Sequence, residues 1–312
     1  MAAATNEARD FFFRAGTALA IVAVTVGAMW QERTTAPGQL LRGGISAAWL
    51  ADYHRELGYS LDDVRRASQP VPRVMLAELP MDLAKIESTP LRKQLFIEGL
   101  LPIVLGVNER IASDRDRLVA LLARQKTGEA ISGRDKAWLE AMAMRYGSMD
   151  AGELLRRVDV VPPSLAIAQA AIESGWGSSR FARQGNALFG QRVYGASGMQ
   201  PAGLAAGAGF GVRDFETLGA AVAAYADNLN SFSAYAALRA KRATLRAQGQ
   251  LPDGLSLAGT LLRYSELGDD YVARVRDLIR INGLGALDKA RLAEPRVTSM
   301  PPAERHAERQ DI

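Results

Sequence analysis

Near the middle of the chain, residues 162–175 read PPSLAIAQAAIESG, a short apolar helix bracketed by two prolines and a glycine. Proline suits a first helical turn, where the missing N–H has no partner to lose, and glycine takes the left-handed conformation that stops a helix. Leu165, Ala168 and Ile172 recur at i, i+3 and i+7, which predicts one apolar face. Helical patterning also covers residues 47–66, interrupted by Pro70 and Pro72, and then residues 90–124 and 133–146. Downstream, Leu218, Val222, Tyr225 and Leu229 mark another helix, followed by helices at 234–246, 256–264 and 271–281, the last closed by Asn282-Gly283. Strand character is confined to LFGQRVY and GFGVRDF, which flank a glycine-rich loop and predict a small hairpin after the apolar helix. The expected fold class is therefore mainly α with a small β-hairpin.

Composition narrows the chemistry. The 312 residues are 48% hydrophobic and 23% charged, enough for one large core or two modest ones. No cysteine is present, which excludes disulfides, thiolate zinc sites, iron–sulfur clusters and cysteine nucleophiles. Two histidines, His54 and His306, are too few for a Ser-His-Asp triad or a multi-histidine metal centre. No metal or organic cofactor is expected, and if the chain is an enzyme its chemistry falls to carboxylates. A net charge of +4 favours an anionic partner: nucleic acid, membrane headgroups or a wall polymer. No zinc-finger spacing, RNP-like aromatic motif or long basic block is present, so nucleic acid is the weakest of the three.

The chain divides into four parts. After Arg9 and Arg14, residues 15–30 carry no charge and end on Met29-Trp30, which predicts a membrane anchor or signal segment over 1–33. The positive charge before it places the rest of the chain on the far side of the inner membrane. Residues 34–89 read as a linker, TTAPGQLLRGG, followed by a helical lead-in. Residues 90–288 form the principal domain, with its core at 160–284, and 289–312 read as a polar, proline-broken, disordered tail. Within 90–124, LFIEGLLPIVLGV is short and contains Glu98 and Pro102, so a buried helix is expected and not a second span.

Glu173 falls in the last turn of the 163–174 helix, where the negative end of the dipole and partial burial both disfavour the anion, so its pKa is expected to be raised. A carboxyl that keeps its proton near neutrality can protonate a leaving glycosidic oxygen. By itself a glutamate at this position is usually just a solvated helix-end residue. The surroundings are more specific. The motif AxESGWGxSxFAxxGNxLFG, carried by Ala171, Glu173, Ser174, Gly175, Trp176, Gly177, Ser179, Ala182, Asn186, Leu188, Phe189 and Gly190, resembles the glucosaminidase family, glycoside hydrolase family 73, in its Bax-like branch. Ala224, Tyr225, Asn228, Leu229, Asn230, Ala234, Tyr235, Leu238, Arg239 and YSELGDDYV extend the resemblance across roughly residues 90–284. It implies a lysozyme-like helical domain that cuts peptidoglycan glycan strands at N-acetylglucosaminyl bonds in the cell envelope, with Glu173 as catalytic acid. Tyr225 is then expected to orient substrate or water, and Trp176, Asn186 and Phe189 to shape the sugar site. From pattern alone, Tyr225 is as well a core tyrosine and Gly185-Asn186 a turn.

Glycosidases usually need a second carboxylate. Where Bax-like relatives carry an acid in the hairpin, this chain has Gly211. Asp214 is the nearest substitute, with Glu216 and Asp227 behind it. The alternatives are assistance by the substrate's own acetamido group, a lytic transglycosylase working with Glu173 alone, or a non-catalytic wall-binding protein.

Overall fold

The computed structural model describes residues 39–194, 198–200 and 210–295. The apolar stretch 15–30 and the end of the tail, 296–312, lie outside the described residues. Among the described residues no helix is long and apolar enough to cross a membrane.

The chain opens with β1 (Gln39–Leu41), α1 (Ala47–Glu56), α2 (Leu61–Arg65) and β2 (Val74–Leu76). β1 and β2 pair in parallel, Leu41 beside Leu76, so residues expected as linker contribute a strand. The pattern expected as one helix over 47–66 is two, because Gly58 turns with φ +66° and Ser60 caps the second through the Asp63 N–H. Next come α3 (Thr89–Lys126), α4 (Gly133–Tyr146) and α5 (Ala151–Arg157). Pro102 lies inside α3, and residues 95–107 around it are buried, including Glu98, which accepts from Gln94 at 2.8 Å and meets His54 at 3.0 Å. α6 (Pro163–Ser174) and α7 (Arg180–Gly185) precede the hairpin β3 (Arg192–Tyr194) and β4 (Phe210–Val212), whose antiparallel register pairs Val193 with Gly211. α8 (Leu218–Ser231), α9 (Ala236–Ala247), α10 (Gly254–Ala258) and α11 (Asp269–Ile281) complete the helices. The helix expected over 256–264 is only the single short α10, capped by Asp253, and the chain continues in turns.

α6 is the centre of the molecule. Instead of one apolar face it is buried on every side from Pro163 to Ala171, and its alanines at 166, 168, 170 and 171 let neighbours approach closely. α3, α10, α11 and the turn 284–289 surround it. Its first turn has no local side-chain cap; Asp288 supplies one from the far end of the chain, accepting from the Ser164 N–H at 2.8 Å, the Ser164 hydroxyl at 2.7 Å and the Gly254 N–H at 3.0 Å. The chain beyond Lys289 does not leave the surface at once. Val71 N–H donates to Arg291, Ala293 N–H donates to Val71, and Leu292 is buried. One hydrophobic core therefore runs from α1 through α6 to Leu292, with a smaller cluster of Leu118, Met142, Tyr146, Leu154 and Val158 beside it.

Candidate active site

α6 is stopped by a tight reversal. Gly175, Trp176 and Gly177 all adopt positive φ, at 58°, 58° and 76°. A Cβ on Gly177 would stand 2.6 Å from Leu79 and 3.2 Å from Phe96, so glycine is required both for the turn and for the close approach to the lead-in. The Ser174 hydroxyl accepts from the Gly177 N–H at 2.9 Å and locks the reversal. Trp176 is thereby thrown out of the helix line, half-buried, with its ring edge-on to Phe96 at 5.7 Å and the Lys93 ammonium 5.0 Å from its centroid.

At this open end of a buried helix sits Glu173. Its side chain reaches solvent on one side, while the packed atoms behind it desolvate the carboxyl and raise its pKa; a hydrogen bond from Tyr271 opposes that rise. Tyr271 is nearly enclosed on α11 and donates its hydroxyl to Glu173 Oε1 at 2.9 Å. One turn before Glu173 on α6, fully buried Gln169 donates from Nε2 to the Tyr271 oxygen at 3.0 Å, and its Oε1 accepts from the Tyr225 hydroxyl at 2.6 Å. Tyr271 stacks on Tyr264 at 5.3 Å, and Tyr225 stacks on Phe189 at 3.9 Å. The second carboxylate oxygen, Oε2, faces Gly190, where a Cβ would lie 3.8 Å away.

The expected site residues thus separate into layers. Glu173 and Trp176 reach the surface together. Tyr225, 1% exposed, does not present its hydroxyl to the cleft, because that hydroxyl is used by Gln169. Phe189, 4% exposed, is a core ring behind the site. Asn186 closes α7 with φ 52° and donates to the Phe215 carbonyl at 3.0 Å, fastening the exit of the hairpin. Gly211 occupies its strand position opposite Val193 without a side chain, and Asp214 is exposed just past the strand, against Gly185. Asp227 forms an ion pair with Arg145 at 2.7 Å. Gln169 and Tyr271 were not expected. An amide in an otherwise apolar run, four residues before Glu173 and so on its face, is a legible signal; Tyr271 lies in the matched YSELGDDYV segment, but no spacing links it to α6. A separate recess of about 690 Å³ opens between Tyr59, Arg65, Gln94 and Asn282, and Glu173 does not line it.

The molecule is mainly helical, and its buried central helix ends on a solvent-reached carboxyl whose pKa burial raises. Residues 149–280 match the Glucosaminidase family, described as mannosyl-glycoprotein endo-beta-N-acetylglucosaminidase. Over 198 residues the chain is 33% identical to Protein bax of Escherichia coli (strain K12), covering 61% of this chain and 69% of that protein. The chain belongs to the glucosaminidase family. No solved structure matches it.

Proposed function

We propose that this protein hydrolyses N-acetylglucosaminyl bonds in peptidoglycan, with Glu173 as general acid in a lysozyme-like helical domain. The observation that carries the reading is the state of Glu173. Burial pushes up the carboxyls of Glu173, Asp227 and Asp288. Asp227 is tied to Arg145 and Asp288 to Ser164 and Gly254, whereas Glu173 is open to solvent. A proton held there passes to the glycosidic oxygen as the C1–O bond breaks. The carboxylate left behind takes a proton from the water that adds to C1, which restores the acid. Charge at C1 between these steps is met by the acetamido oxygen of the sugar or by Asp214. Trp176, half-buried beside Glu173, supports a sugar-binding role. The apolar residues 15–30 and the net charge of +4 support an envelope location, with the anchor in the inner membrane and the domain against the wall.

A lytic transglycosylase is the second reading, and Gly211 favours it. With no side chain at the hairpin register, Glu173 alone both protonates the leaving oxygen and then takes the proton of the sugar's own hydroxyl as that oxygen closes on C1. Mass analysis of soluble fragments from purified peptidoglycan separates these. New reducing N-acetylglucosamine ends, lost in Glu173→Gln, support hydrolysis; anhydro-muramyl ends support transglycosylation. Binding without fragments, unaltered by Glu173→Gln, returns the chain to a wall-binding role. Undiminished cleavage by a folded Glu173→Gln variant overturns the assignment of the acid.

A further inference from the structure

We propose that Gln169 and Tyr225 are positioning residues that fix the direction of the hydrogen-bond chain ending on Glu173, so that the acid's proton is carried on Oε2, beside Gly190, and not on Oε1. The inference rests on Glu173 being the general acid.

The chain Tyr225–Gln169–Tyr271–Glu173 has two conceivable directions. In the first, every group donates toward Glu173: Tyr225 to Gln169 Oε1, Gln169 Nε2 to Tyr271, and Tyr271 to Glu173 Oε1. In the second, a proton on Oε1 is donated to Tyr271, Tyr271 donates to an amide turned over, and the amide donates to the Tyr225 oxygen. The second direction strands the Tyr225 proton. That hydroxyl is 1% exposed, and Gln169 is its hydrogen-bond partner among the described residues. Phe189 lies flat on its ring at 3.9 Å and 8°, so the ring cannot swing to carry the hydroxyl to a different acceptor. An unpaired buried donor costs more than an ordinary hydrogen bond returns, and the first direction is the one in which both tyrosine hydroxyls have an acceptor.

The direction matters at the far end. Because Oε1 already accepts from Tyr271, the proton that makes Glu173 an acid resides on Oε2. Oε2 lies beside Gly190, which is exposed and where a Cβ would make only an ordinary contact at 3.8 Å. Gln169 therefore acts through Tyr271 and never touches substrate; its role is to hold Tyr271 as a donor. Replacing it with glutamate removes the amide donor that holds Tyr271 in place, and when that carboxyl ionises it accepts from both tyrosines and draws the Tyr271 proton away from Glu173.

The test uses the full chain and two readouts, with thermal melting to establish that each variant folds. The first is the infrared carbonyl band of protonated Glu173, identified as the band missing from Glu173→Gln. Its carbonyl oxygen is Oε1, so it should lie at the low frequency of a hydrogen-bonded carbonyl and move upward in Tyr271→Phe and in Gln169→Glu. The second is the pH profile of kcat on peptidoglycan. Gln169→Glu should lower kcat about tenfold, the equivalent of one hydrogen bond, with KM unchanged, and move the basic limb to higher pH. Gln169→Met keeps the length without the donor, should give a smaller change in the same sense, and carries the test if Gln169→Glu does not fold. A carbonyl band and basic limb identical to wild type in both Gln169 variants overturn the proposal while leaving Glu173 as the acid. Full activity in Glu173→Gln overturns the underlying reading instead.

Discussion

At the scale of single residues, Glu173 is held between two opposed influences, and each can be removed separately. Desolvation raises its pKa, and the Tyr271 hydroxyl lowers it by donating to the anion. Tyr271→Phe deletes only the second, so the pKa rises further. In its proposed role as general acid Glu173 works while protonated, and the basic limb of the kcat–pH profile should therefore move to higher pH. The carboxyl also loses its tether, and kcat should fall about tenfold or more at the optimum. A basic limb that stays in place or moves down would mean that Tyr271 does not donate to Glu173 in the working enzyme. Glu173 was legible in the sequence because the elements that expose it, Pro163 at one end and Gly175 at the other, are adjacent to it along the chain. Its partner was not. Tyr271 is 98 residues away, and one sequence carries no signal of which tyrosine folds back onto which helix end. Tyr225 was legible as an inward-facing residue, but periodicity cannot say whether inward means cleft or core, and its neighbours Gln169 and Phe189 decide for core.

At the scale of elements, local punctuation determined what could be read. α4 matches its expected bounds because Ser132 caps one end through Asp135 N–H and Gly147 turns left-handed at the other. The β1–β2 pair escaped notice because each strand has three residues and parallel partners 35 positions apart leave no hairpin signature. The cap on α6 was equally hidden, since Asp288 comes from the other end of the domain. Asp288→Ala should cost about 1–2 kcal/mol in urea unfolding, the usual range for a lost N-terminal cap, while Asp288→Asn keeps an oxygen for one N–H and should cost less. Equal stability of wild type and Asp288→Ala would show that water caps the helix as well. The reversal after α6 is more demanding. Gly177→Ala places a Cβ 2.6 Å from Leu79 on a backbone with φ +76°, so a loss of about 1–3 kcal/mol is expected. Because Trp176 is carried by the same turn, its fluorescence should change in the folded variant, and an unaltered spectrum would disconnect the turn from the placement of the ring.

At the scale of the whole molecule, the lead-in and the domain after residue 90 share one core. The sequence divides them at Pro70, Pro72 and Pro90, where helical periodicity lapses, and that division follows chain punctuation and not packing. Leu50, Leu76, Leu79 and Leu83 from the lead-in are buried in the same cluster as Phe96, Leu100 and Leu165. Leu79 and Leu83 also form the wall against which Gly177 closes the turn below Glu173. Each buried leucine contributes about 1.5–3 kcal/mol, so these four rival the roughly 5–15 kcal/mol that separates a folded domain from its unfolded chain. A chain beginning at Pro90 should therefore lose its cooperative urea transition and its near-ultraviolet dichroism, and with them any cleavage of peptidoglycan. Adding the 39–89 segment as a separate polypeptide should restore part of the signal, because the surface the two parts share is apolar. A cooperative transition and undiminished cleavage from the 90–312 chain would mean that the glucosaminidase fold stands without its lead-in. The contacts from Leu79 and Leu83 to the Gly177 turn would then be additions to an already complete site.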